Sequence, residues 1–103
     1  MDKLIITVAL TGNVPTKQKN PNLPTTADEI AADVRRCADA GAVIFHVHAR
    51  DKEQKPTLDI DAFKANVRRI KKTAPEVIIQ LSTGGRAGKE WEARVSPVRL
   101  LPE

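Results

Sequence analysis

The chain has 103 residues, enough for one small domain or part of a larger one, and its 41% hydrophobic and 29% charged residues exclude a disordered segment. One cysteine, Cys37, excludes a disulfide framework and fits a reduced, cytoplasmic compartment, and no apolar run approaches the roughly 20 residues of a membrane helix. The net charge of +4 is mild, and the only aromatics are Phe45, Phe63 and Trp91, so a nucleic-acid surface is not indicated and an anionic small molecule suits the charge better.

Residues 3–12 (KLIITVALTG) read as a first strand, continuous in apolar and β-branched residues. Residues 13–25 hold Pro15, Pro21 and Pro24 and read as a long loop. Residues 26–40 read as a helix. Thr26 and Glu29 form a capping box, Ile30, Val34 and Cys37 make one apolar stripe, and Gly41 supplies the left-handed stop. Residues 42–49 are a second strand and 50–57 a polar loop. Residues 59–73 repeat the helical pattern with Phe63, Val67 and Ile70, and Pro75 ends it. Residues 77–82 are a third strand, followed by the glycine-rich TGGRAGK. Residues 90–101 have helical tendency, with Pro97 dividing them into two short pieces and Trp91 expected to pack inward.

This β/α order predicts an α/β fold with a parallel sheet. Each strand has one greasy face and one that turns small or polar toward its C-terminal end. Val43, Phe45 and Val47 oppose His46 and His48, for example, and Val77, Ile79 and Leu81 oppose Gln80 and Ser82. A doubly wound sheet, covered on both faces, wants both greasy; a barrel wants this asymmetry. The reading is the first three strands of a (β/α)8 TIM barrel, with residues 1–103 as the N-terminal fragment of a single barrel domain.

His46 and His48 lie at i and i+2, so a strand aims both imidazoles at one side, near its C-terminal end, where barrel sites are built. That spacing suits two ligands of one metal ion; the competing reading is a chance pair. Ser82, Thr83, Gly84 and Gly85 can present hydroxyls and backbone N–H groups to an anion, or form an ordinary βα turn. Arg50 shares the histidines' parity and could orient a carboxylate. Thr11 and Asn13 close the first strand at the same rim.

The segments ITVALTG, NPNLPTTADEIA, DAGAVIFHVHARD and EVIIQLSTGG together resemble the β-keto acid cleavage enzymes, a family that includes the 3-keto-5-aminohexanoate cleavage enzyme of lysine fermentation. The resemblance covers essentially the whole chain and implies a (β/α)8 barrel. It implies a Zn-dependent acyl transfer in which a β-keto acid and acetyl-CoA give acetoacetate and a new acyl-CoA. His46 and His48 match the two metal histidines, and Ser82 and Gly85 match positions that hold the substrate carboxylate, with Thr83, Gly84, Arg50 and Asn13 as further candidates beside them. The third metal ligand and the general base are expected beyond residue 103, so the 103-residue chain alone should be inactive. Val14 stands where the lysine-fermentation enzyme has an acidic residue that meets the substrate amine, which disfavours an amino substrate. The full-length protein is expected to be a homo-oligomer with neither nucleic acid nor membrane as partner. Two alternatives are an amidohydrolase-like metal-dependent hydrolase, which would carry HxH on the first barrel strand, and a non-catalytic basic βαβ binding module, which would leave both histidines dispensable.

Overall fold

The computed structural model describes residues 2–84 and 90–100. Its elements in chain order are β1 (Thr7–Ala9), α1 (Ala27–Asp39), β2 (Ile44–Val47), β3 (Ala49–Arg50), β4 (Pro56–Thr57), α2 (Ile60–Thr73), β5 (Ile78–Leu81), α3 (Trp91–Arg94) and a 3-10 turn at Ser96–Leu100.

The main sheet is parallel in the order β1-β2-β5. Successive strands are therefore neighbours, and each crossover carries one helix. A barrel starts in this way, whereas a doubly wound sheet reverses strand order at its switch point. Both helices cover the same face. Ile30 and Val34 of α1 and Ile70 of α2 bury against Phe45 and Val47 of β2, with Val8, Leu10, Ile79 and Leu81 packed at the edges. The other face carries Thr7, Ala9, Ile78 and Gln80, all exposed among the described residues, and half-buried His46. The asymmetry expected from strand parity is thus present. Phe63 and Val67 of α2 form a second cluster with Ala49 and Leu100.

The helices form where apolar period and caps coincide. Thr26 accepts from Glu29 N while the Glu29 carboxylate accepts from the Thr26 backbone, a complete capping box. Gly41, at φ +116°, adopts the left-handed conformation that ends α1. Asp59 caps α2 by accepting from Asp61 N at 3.0 Å. Cys37 packs against the first cluster as a half-buried residue.

Four expectations need correction. The first strand is shorter than residues 3–12: only Thr7–Ala9 pair with β2, and Leu4 and Ile5 are exposed, with no partner strand among the described residues. The second strand stops at Val47, short of residue 49. The segment 50–57 is not simply a loop, because Ala49–Arg50 and Pro56–Thr57 pair antiparallel. Asp51 organises this hairpin by accepting from Glu53 N and Lys55 N at 2.8 and 2.9 Å, and Gln54 turns the chain at φ +68°. Finally, Trp91 is 67% exposed on the four-residue α3, a helix too short to bury it. The division of residues 90–101 around Pro97 holds, with a break at Val95 between α3 and the 3-10 turn.

Candidate functional site

The C-terminal ends of β1, β2 and β5 bring their following residues to one rim. His46 lies in β2 and His48 follows it, and because they are two apart in extended chain both rings leave the sheet opposite Phe45 and Val47. The ring centroids are 5.0 Å apart with planes at 75°. Each ring has one nitrogen already engaged. Nδ1 of His46 lies 2.8 Å from Gln80 Oε1, and Nδ1 of His48 lies 3.0 Å from Asn13 Oδ1. An amide oxygen can only accept, so this placement selects, for a neutral ring, the tautomer with the proton on Nδ1 and the lone pair on Nε2. That is the tautomer in which imidazole ligates a metal through Nε2. Burial, then the neighbouring charges of His46 and Arg50, hold the His48 imidazole below the usual histidine range and so favour its neutral form. Asn66, buried on α2, donates to the His48 carbonyl at 3.4 Å and ties the backbone at this point to the helix.

The segment after β5 closes against the same two residues. Ser82 N donates to Val47 O at 2.9 Å, which draws the loop to the end of β2. Ser82 is buried, and its Oγ accepts from Gly84 N at 3.1 Å. A Cβ at Gly84 would sit 3.2 Å from Ser82 Oγ, 3.3 Å from Asn13 Nδ2 and 4.0 Å from His48 Cε1. A side chain here would crowd Ser82 and Asn13, which would have to give by a few tenths of an ångström. Thr83 is exposed, and its carbonyl accepts from Arg94 Nε at 3.2 Å. Gly85 lies outside the described residues.

Arg50 takes a different place from the one its parity suggests. Its strand pairs with β4 and leaves the main sheet, so counting residues from His48 no longer sets its direction. Nη1 donates to Gln54 O at 2.9 Å, and Nη2 to Gly12 O and Pro15 O at 2.8 and 3.0 Å. Nε is buried with no partner among the described residues, and burial lowers the guanidinium's affinity for its proton. Arg50 thus ties the hairpin to the loop after β1, and its terminal nitrogens are committed to backbone carbonyls. Thr11 has a similar part: buried, it donates from Oγ1 to Pro24 O at 2.8 Å and pins the far end of that loop. Val14, on the same loop, is 64% exposed.

The structure therefore assembles His46, His48, Asn13, Ser82 and Gly84, and turns Arg50 and Thr83 to backbone contacts. Gln80 and Asn66 were not singled out by the sequence. A lone glutamine in an aliphatic strand, with the parity of Ser82, was the available sign of the former. Two imidazoles whose Nε2 atoms make no hydrogen bond among the described residues can supply two ligands to a divalent cation, and their pairing suits Zn²⁺ or a similar ion. Among the described residues no group of three or more His, Cys, Asp or Glu side chains could hold a metal by itself.

A family model described as beta-keto acid cleavage enzyme matches residues 3–103. The chain is 46% identical, over all 103 of its residues and 38% of the relative's length, to a 3-keto-5-aminohexanoate cleavage enzyme of Acetoanaerobium sticklandii. It is 40% identical over 99 residues, 96% of this chain and 34% of the relative, to a 3-oxoadipate:acetyl-CoA acetyltransferase of Cupriavidus necator. A solved structure of ObcA, in a ternary complex with a C4-CoA adduct and oxalate, superposes with a TM-score of 0.63 at 29% identity, covering 74% of this chain and 20% of the other. The chain thus spans little more than a third of the length of these curated relatives.

Proposed function

The chain belongs to the beta-keto acid cleavage enzyme family, and from that premise we propose that it forms the N-terminal part of a Zn-dependent acyltransferase that converts a β-keto acid and acetyl-CoA into acetoacetate and an acyl-CoA. The observation that carries the reading is the pair His46 and His48, each with Nδ1 bonded to an amide oxygen and with no hydrogen bond to Nε2 among the described residues. The relatives' names supply the reaction class, since one is a cleavage enzyme for a keto acid and another an acetyl-CoA acetyltransferase.

In this reading His46 and His48 hold the metal through Nε2, and the remaining ligand and the general base come from residues that follow this segment in the full-length protein. The ion, when bound, serves as a Lewis acid that polarises the keto oxygen of the substrate. This chain's own residues do the positioning. Ser82 Oγ already accepts from Gly84 N, so its hydroxyl proton can be donated to the substrate carboxylate. Gly84 permits that carboxylate to approach the backbone beside His48. Anchoring the carboxylate here directs the keto group toward the histidines, so the reacting carbon meets the thioester in one orientation. Val14 offers no charge to an amine, which favours a β-keto acid with an uncharged or anionic tail.

The test is acetoacetate formation from acetyl-CoA and a panel of β-keto acids by the full-length protein, alongside measurement of bound Zn. Stoichiometric Zn and turnover that both disappear in His46→Ala support the reading. Full turnover by metal-free protein overturns it.

A further inference from the structure

Asn13 comes from the loop after β1 and Gln80 from β5, yet each places an amide oxygen on the Nδ1 of one histidine, at 3.0 and 2.8 Å. Their geometry is constrained from several sides. Gln80 is the register partner of His46 on the adjacent parallel strand, so its side chain leaves the same face of the sheet directly beside the ring. Asn13 sits between His48 and Gly84: its Nδ2 lies on the side where a Gly84 Cβ would come within 3.3 Å, and its Oδ1 faces the ring. Neither bond serves the core, because Gln80 is exposed on the face away from α1 and α2 and Asn13 is half-buried at the rim.

We infer that Asn13 and Gln80 are the positioning residues of the two-histidine centre, fixing both rings as Nδ1–H tautomers with Nε2 presented to one divalent cation, and doing so with neutral amides. The inference rests on the metal reading above. Its chemical content is the choice of amide over carboxylate. A carboxylate behind an imidazole raises the ring's donor strength and brings negative charge to the site, whereas an amide oxygen orients the ring and adds no charge. A centre built this way keeps more of the cation's positive charge for an anionic substrate. Asn13 is accordingly a residue of the metal centre, and the substrate carboxylate is left to the loop after β5.

Two measurements on the full-length protein decide the matter. The first uses metal-free protein and ¹⁵N NMR of the histidine rings, which distinguishes Nδ1–H from Nε2–H without any metal. Both His46 and His48 are expected as Nδ1–H; an Nε2–H ring at either position overturns the inference. The second is Zn²⁺ affinity by chelator competition in near-isosteric Asn13→Leu and Gln80→Met and in charged Asn13→Asp and Gln80→Glu. The apolar variants are expected to lose about 10- to 100-fold in affinity. The carboxylate variants are expected to bind Zn²⁺ at least as tightly as the unaltered protein while losing kcat. Folding of each variant is read from the unchanged helical circular dichroism of the metal-free form, and Gln80→Met, at an exposed site, carries the test should Asn13→Leu unfold. Unaltered protein that takes up no Zn²⁺ refutes the metal reading itself. Uptake that Asn13→Leu and Gln80→Met leave unchanged refutes only the role of the amides.

Discussion

His46 and Gln80 are register partners on adjacent parallel strands, and Gln80 Oε1 accepts the Nδ1 proton of His46 at 2.8 Å. Sheet pairing thus sets the ring's tautomer: once β2 and β5 align, the amide has only a short reach to the imidazole. The same alignment carries Ser82 to the carbonyl of Val47 and the following loop to His48. A site at the end of a parallel sheet is in this sense made by register, and substitutions should act according to which part of that geometry they touch.

Removal of either ring is the most direct case. His46→Ala and His48→Ala should each lose most of the Zn²⁺ bound by the full-length protein, because one remaining imidazole is a poor partial site. Metal content after dialysis gives the answer. Stoichiometric Zn²⁺ with full activity in either variant refutes ligation by these residues.

Ser82→Ala should raise KM for the β-keto acid with little change in Tm. A hydrogen bond to a charged group contributes about 1.5–3 kcal/mol, which corresponds to a KM increase of roughly 10- to 100-fold. If KM and kcat are untouched and Tm falls, Ser82 serves only the turn it makes with Gly84.

Gly84→Ala should cost activity through crowding. The new Cβ would lie 3.2 Å from Ser82 Oγ and 3.3 Å from Asn13 Nδ2, so both must shift, and Asn13 would be drawn from His48. Weaker Zn²⁺ binding and a higher KM are expected together. An alanine variant with the original affinity for Zn²⁺ and substrate shows that the loop has slack at this point.

Arg50→Ala is expected to act on stability. It removes donors from the carbonyls of Gly12, Pro15 and Gln54 and opens space where the side chain is buried. A loss of about 3 kcal/mol is the expected scale. Chemical denaturation measures it. A variant with unchanged stability and a large rise in KM would return Arg50 to the substrate site.

Glu29 links the fold to pH. Its carboxylate accepts from the backbone N–H groups of Thr25 and Thr26 and pairs with Lys17 at 3.1 Å; these bonds, the Thr25 one foremost, lower its pKa from 4.5 to about 2. A depressed carboxylate stabilises the folded state above its unfolded pKa. That contribution is complete above pH 4.5 and is lost as pH falls toward 2. Glu29→Gln should lower Tm at neutral pH and flatten its dependence across that window. A glutamine variant with the same acid profile as the original would assign the pH dependence to other groups.

Features that depend on neighbours along the chain were legible in the residues alone. Caps and apolar stripes placed α1 and α2 to within a residue or two, since helix formation is governed by side chains three and four apart. Strand parity assigned Phe45 and Val47 to the helix-covered face and both histidines to the other, because alternation is a property of extended backbone. Features that depend on partners far away emerged only with the fold. Gln80 and Asn13 lie 34 and 35 residues from the rings they hold; strand register brings Gln80 to His46, and the loop after β1 brings Asn13 to His48. Arg50 left the histidines' face when β3 paired with β4, a pairing set by the Asp51 turn that parity from β2 does not contain. The length of β1 was settled by how many residues of β2 lie opposite it, and the exposure of Trp91 by the brevity of α3. Local periodicity specifies which face a side chain takes; only the packing of distant segments specifies what it meets there.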